Sequence, residues 1–378
     1  MKVNRSRHHR KPQHALAFLA LAAMAGGASA QSSVSIYGTI DAFATSRQLA
    51  GETRTKHLAS SGMSNSNLSF RGSEDLGGGL SAGFDMSGYF QTDTGGAQRA
   101  AADAAGFWGK YAWVGLSSKD YGSVRLGRQT TPTFVNMLRF DPFGGSANFG
   151  VLLHLYQPSG GQPLLTANGI VGTNASGAYA GGDSAWNNSV AYLSPSAGGF
   201  SGMAMVSAGE GAAAPAAGRR GSLALFYSGG AFAAGLSPDR IERASGVLVR
   251  TKTDPAGAPY TVNEVSTVMA GMSYDLTAVK LFAQLNKSTV TVSALPDIEL
   301  TTTQLGAQVP IGTGFLLTSW MHTTREQSGL ADKKRDTLSI GYDYYLSKRT
   351  DLYAVILNDR ATGLTSGTSA SLGMRHRF

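Results

Sequence analysis

Cysteine is absent from the 378 residues, which excludes disulfides, thiolate metal sites and a cysteine nucleophile. Charge is sparse, with Asp, Glu, Lys and Arg together making up 15% of the chain. After residue 30 there is no apolar run of the ~18 residues that a membrane helix needs. Beyond that point histidine is confined to His57, His154, His322 and His376, none with an acidic partner or nucleophile motif beside it. There is no Gly-x-Ser-x-Gly elbow, and Gly77-Gly78-Gly79 lacks the following Lys of a phosphate cradle, so it reads as a turn. Spacing suited to a metal site is also missing. No catalytic residue and no cofactor is assigned.

Glycine, by contrast, is abundant, with 49 residues. A glycine-rich, charge-poor chain without helical spans fits a large all-β protein or a transmembrane barrel, whose signal per segment is weak. The formal charge of +8 comes largely from the first thirty residues. These hold Lys2, Arg5, Arg7, Arg10 and Lys11 and no acid; taking these five from 32 leaves 27 basic against 24 acidic residues. That near balance, with no basic run interleaved with aromatics, gives no reason to expect nucleic acid as a partner. The same thirty residues read as an export signal: a basic start, an apolar stretch from Ala15 to Met24, and the small-x-small site Ala28-Ser29-Ala30. Cleavage is expected after Ala30, leaving residues 31–378 as one barrel domain.

Alternation with period two dominates the remainder. Leu80, Ala82, Phe84, Met86, Gly88 and Phe90 share one parity, and Ser81, Gly83, Asp85, Ser87, Tyr89 and Gln91 share the other. A strand of this length matches the ~9–11 residues of a tilted membrane-spanning strand better than the ~5–6 of a soluble sheet. At the C-terminus Ala370, Leu372, Met374, His376 and Phe378 alternate with Ser371, Gly373, Arg375 and Arg377. Taken alone, this is either an ordinary last strand or one that pairs with the first to close a barrel through Phe378. Short turns such as Ser117 to Gly122, Ser194 to Gly199 and Leu346 to Thr350 trade ends with longer loops near 46–61, 92–106, 209–220, 240–262, 287–297, 325–334 and 359–367. Short turns at one end and long loops at the other mark outer-membrane barrels. The expectation is a transmembrane antiparallel β-barrel of about 16 strands. Phe90, Trp113, Tyr342, Tyr344 and Tyr353, near strand ends, are candidates for interfacial girdles.

Two stretches break the pattern. In Ser123-Val-Arg-Leu-Gly-Arg128, Arg128 shares parity with Val124 and Leu126, which a bulge at Gly127 would resolve. From Arg128 to about Ile170 there is no clean strand. A connection this long and this rich in Phe and Leu is expected to fold inward and narrow the lumen. Between Thr131 and Ile170 its only charged residues are Arg139 and Asp141.

Several segments, in order, carry a family resemblance: Ser33 to Asp41, Arg71-Gly-Ser-Glu-Asp-Leu-Gly-Gly-Gly-Leu80, Val114-Gly-Leu116, Leu126-Gly-Arg-Gln129, Asp141-Pro-Phe-Gly-Gly145, Asn187-Asn-Ser-Val190, Leu346-Ser-Lys-Arg-Thr350 and Leu372-Gly-Met-Arg-His-Arg-Phe378. The chain resembles the trimeric general porins of beta-proteobacteria. That resemblance implies a homotrimer of 16-stranded barrels among outer-membrane lipid and lipopolysaccharide, passing ions and small hydrophilic solutes passively. It also implies a constriction loop bearing Pro142, Phe143, Gly144 and Gly145, with Asp141 and Arg139 at the eyelet and Arg128 and Lys110 on the facing wall. Asn67 and Ala185 stand where the family often has Arg, so weak selectivity leaning to anions is expected. A substrate-specific channel, a plugged or adhesive barrel and a barrel hydrolase are the alternatives, in that order.

Overall fold

A computed structural model describes residues 33–97, 106–156, 184–208, 219–242, 247–248, 260–292 and 296–378. The expected signal segment and its cleavage site lie outside the described residues. The strand segments are β1 (Ser33–Arg47), β2 (Thr55–Ser60), β3 (Asn67–Gly77), β4 (Leu80–Tyr89), β5 (Tyr111–Ser118), β6 (Gly122–Thr130), β7 (Ala185–Leu193), β8 (Phe200–Ser207) and β9 (Arg220–Gly229). They continue with β10 (Phe232–Glu242), β11 (Val247–Leu248), β12 (Tyr260–Asp275), β13 (Lys280–Val292), β14 (Ile298–Ile311), β15 (Gly314–Gln327), β16 (Lys333–Tyr345), β17 (Thr350–Ala361) and β18 (Gly367–Arg377). Two short helices, α1 (Pro132–Arg139) and α2 (Leu152–Tyr156), lie between β6 and β7.

Neighbouring segments pair antiparallel, and the eighteen reduce to sixteen strands. β2 and β3 share one position, facing the far and near halves of β1. β11 continues the edge of β10 along β12. The ring closes where β1 meets β18, from Thr39 opposite Arg377 to Ser46 opposite Ala370. Phe378 extends the seam, exchanging backbone hydrogen bonds of 3.1 Å with Gly38 in both directions. A side chain at residue 38 would collide with the Asn67 carbonyl and then the Phe378 ring, so the glycine is required there.

The two faces are inverted relative to a soluble protein. On β18 Leu372 and Met374 are 66% and 53% exposed, whereas Ser369 and Ser371 are about 5% exposed. β17 repeats this, with Leu352 and Ile356 exposed and Asp351 and Asp359 buried. An apolar outer belt over a polar inner face is what hydrocarbon outside and water inside select. The fold is therefore a closed transmembrane β-barrel, as the alternation implies.

Three local readings change. The register slips at Gly127, but the extra residue sits on the neighbouring strand: Gly127 faces Ser189 and Gln129 faces Trp186, so Arg128 faces both Asn187 and Asn188. Asn188 takes the left-handed conformation that absorbs the insertion (φ 51°). Strands also run into segments that read as loops, with β2 inside 46–61, β13 to Val292 and β15 to Gln327. Ladder hydrogen bonds continue past the level where apolar alternation stops. Finally, Trp113 and Tyr353 turn inward and do not belong to a girdle. Tyr353 is 3% exposed and donates to Asp41 at 2.6 Å.

Asp41 is fully buried on β1 and holds the bend between β2 and β3. Its oxygens accept from the backbone N–H groups of Gly62 (3.0 Å), Met63 (2.9 Å) and Ser64 (2.8 Å) as well as from Tyr353. Asp41→Ala strands four buried donors, and the expected cost is about 3 kcal/mol or more. The check is the temperature at which the folded, fast-migrating form unfolds on a semi-native SDS gel; an unshifted transition would remove Asp41 from the barrel's supports.

Candidate functional site

The segment between β6 and β7 begins with a strong helix start. Thr131 is extended (φ −71°, ψ 148°), its Oγ1 accepts from Phe134 N at 3.2 Å, and Pro132 occupies the first turn. The helix it starts, α1, is seated on the polar inner face. Asn136 donates to Ser237 Oγ (3.0 Å) and the Met269 carbonyl (3.2 Å), and Gln284 donates to the Met137 carbonyl (3.1 Å).

Asp141 then organises the turn. Its carboxylate accepts from Phe143 N (3.1 Å), Gly145 N (2.9 Å) and Gln304 Nε2 (2.9 Å). Gly144 and Gly145 adopt φ of 63° and 80°, a left-handed pair that explains the Phe-Gly-Gly sequence. The Pro142 carbonyl accepts from Gln308 at 2.7 Å. Phe143 packs with Phe149, Leu152, Leu153 and Leu155 against Met321, Val355 and Leu357 of the wall. Burial raises the Asp141 carboxyl to about 6, against the pull of Gln304 and three backbone N–H groups.

The far end is fixed by His154 on α2, fully buried between Thr323 (2.7 Å) and Thr337 (2.6 Å). Beside it, Arg335 is paired with Asp359 at 2.9 Å, with both side chains fully buried, and Arg335 also donates to the Leu153 carbonyl. Burial, then the Arg335 charge, holds the His154 imidazole well below its ordinary value; Asp359 opposes the shift and His322 adds to it.

These anchors occupy the wall from β10 to β17. Opposite them, β3 to β6, β8, β9 and α1 enclose a cavity of about 740 Å³. Among the described residues, the charged ones lining it are Arg71, Asp85, Lys110, Arg125 and Arg139. Arg71 reaches Asp85 through Nε (2.8 Å) and Nη2 (2.6 Å), and Tyr37 donates to the same carboxylate at 2.6 Å. Arg125 lies over Trp113 at 4.1 Å and Arg139 over Phe226 at 3.9 Å. Among the described residues, Lys110, Arg125 and Arg139 have no carboxylate within ion-pair distance, and Arg125 Nε is buried without a hydrogen-bond partner.

Of the residues expected at a constriction, Lys110 and Arg139 line this cavity, and Arg128 and Asp141 do not. Arg128 is held by the Gly109 carbonyl (2.7 Å) and Asn187 Oδ1 (2.7 Å). Asp141, 3% exposed, faces its own turn and Gln304. Pro142, Phe143, Gly144 and Gly145 form that turn. Arg71 and Arg125 were not anticipated. Parity marks them, since each sits opposite its apolar neighbours, Leu68 and Phe70 for the first and Val124 and Leu126 for the second.

Comparison with known proteins agrees with this architecture. Residues 15–364 match the Gram-negative porin family. The chain belongs to that family. Outer membrane porin protein 32 of Delftia acidovorans is 30% identical, covering 95% of this chain and 98% of its own. An outer membrane porin protein of Bordetella pertussis is 28% identical over 96% and 99% of the two chains. Among solved structures, the anion-selective porin from Comamonas acidovorans superposes with a TM-score of 0.72 at 26% identity, covering 92% of this chain and all of that one. OmpT of Vibrio cholerae in its trimer form gives a TM-score of 0.62 at 12% identity, which speaks to the fold alone. The protein is an outer-membrane porin.

His154 provides a pH test of the segment's attachment. Its folded value lies below the unfolded ~6.5, so the stability it contributes is complete above that pH and declines as the pH drops below it. Single-channel recordings from pH 8 to pH 5 are expected to show rising current noise below about pH 6.5 in the wild type and a flatter profile in His154→Gln. Equal profiles would show that His154 does not control the anchor.

Proposed function

We propose that the protein is a passive, weakly anion-preferring channel whose narrowest passage is the cavity between β3–β9 and α1. The observation carrying this is the charge imbalance: among the described residues, four cations face one carboxylate, itself already engaged by Arg71. Segment 131–156 acts as the constriction loop, and α1 brings Arg139 to the opening. The similar porin from Comamonas acidovorans is anion-selective, which supports the same reading.

The scale is consistent with a real but limited filter. A space of about 740 Å³ is roughly 11 Å across if compact, close to the Debye length of ~10 Å at 0.1 M salt. Fixed charges then act across the whole opening and bias which ions enter. At 1 M salt, screening over ~3 Å confines them to the walls. Solutes cross by diffusion, with no catalytic step. Export with loss of residues 1–30, assembly into a homotrimer, and contact with lipid and lipopolysaccharide complete the proposal, following the family's habit.

Purified protein in a planar bilayer under a KCl gradient is expected to give a reversal potential on the anion side, larger near 0.1 M than near 1 M. Arg125→Gln and Arg71→Gln should each move it toward the cation side. Arg128→Gln should move it less, since its guanidinium is committed to Gly109 and Asn187. A potential of zero or cation sign in the wild type would overturn the proposal.

A further inference from the structure

Among the described residues, every cation lining the cavity is backed by an aromatic ring. Arg125 lies over Trp113 (4.1 Å), Arg139 over Phe226 (3.9 Å), Arg71 over Tyr37 (4.9 Å) and the Lys110 ammonium over Tyr111 (5.3 Å). A salt filter needs only charge. Rings beneath the guanidinium planes change what the charge recognises, because they strip water from one face and leave the in-plane N–H fork to engage a planar carboxylate. Phe134, Leu138 and Met203 share the same cavity and add uncharged, apolar wall.

We infer that the cavity prefers small aromatic monocarboxylates over inorganic anions and over short aliphatic acids; this rests on the anion-channel reading above. The carboxylate meets the guanidinium of Arg125 or Arg139, which line the cavity with no ion-paired acid among the described residues. The aryl body lies on the ring-backed cations and against Phe134 and Leu138, where a chloride or acetate would leave the apolar surface wet. An inorganic anion gains only the Coulomb part and gives up hydration that these walls do not replace.

The test uses the full protein in a planar bilayer, with potassium benzoate, acetate and cyclohexanecarboxylate each added to symmetric KCl. Benzoate is expected to halve the chloride current at a concentration about fivefold below that of acetate, the increment that aromatic and cation–π contacts typically supply. Cyclohexanecarboxylate should fall between them. In Trp113→Leu and Phe226→Leu, each first shown to open steps in KCl, the benzoate value should rise toward that of acetate; if one variant does not insert, the other decides. Benzoate equal to acetate, or equal to cyclohexanecarboxylate, in a channel whose KCl reversal potential is on the anion side overturns the aromatic preference and leaves the anion channel standing. A benzoate value unchanged in both variants overturns the role of the rings. A cation-side reversal potential in the wild type overturns the underlying reading instead.

Discussion

Pairing of β1 with β18 governs the rest of the molecule. A peptide group facing hydrocarbon has no water to fall back on, and each unmatched one costs several kcal/mol. Closing the ring satisfies both edges at once, and the Gly38–Phe378 exchange carries the ladder to the end of the seam. Once the ring is closed, side-chain parity can serve only two environments, lipid and lumen. The exposed Leu372 and buried Ser371 on adjacent positions follow from that alone.

A polar inner face creates its own requirement, because its buried donors and acceptors need partners. The segment carrying α1 and α2 supplies them with carbonyls at Met137, Pro142 and Leu153 and with the Asp141 carboxylate. Its apolar residues need a matching surface, and the wall provides one in Met321, Tyr353, Val355 and Leu357. β17 is thus apolar on both faces from Leu352 to Leu357, with one face for lipid and the other for the segment.

That doubly apolar run shows what the sequence disclosed and what it hid. Parity was readable wherever only lipid and water were in play, as in β4 and β18. Parity also distinguishes Arg71 and Arg125 from their apolar neighbours, whereas the family motif singles out Arg128, whose position depends on the insertion at Asn187–Asn188. Thr131-Pro132, a cap followed by proline, encodes the start of α1, a helix that period-two alternation alone does not announce. The burial of Asp141 was not legible, because its partner Gln304 lies 163 residues away and only the closed ring brings the two together.

Charge is distributed by the same logic. On the wall that carries the anchors, two buried cations have matching acids: Arg335, beside the segment, with Asp359, and Arg375 with Asp343 and Asp351. An unpaired charge there would cost more than the contact it made. Around the open cavity, Lys110, Arg125 and Arg139 have no ion-paired acid among the described residues, and their field stays uncompensated. The aromatic rings hold the guanidiniums in place without neutralising them, which a carboxylate could not do. Paired and unpaired charge therefore separate onto opposite walls of one barrel, and in the proposed function the paired side fixes the structure while the unpaired side meets the solute.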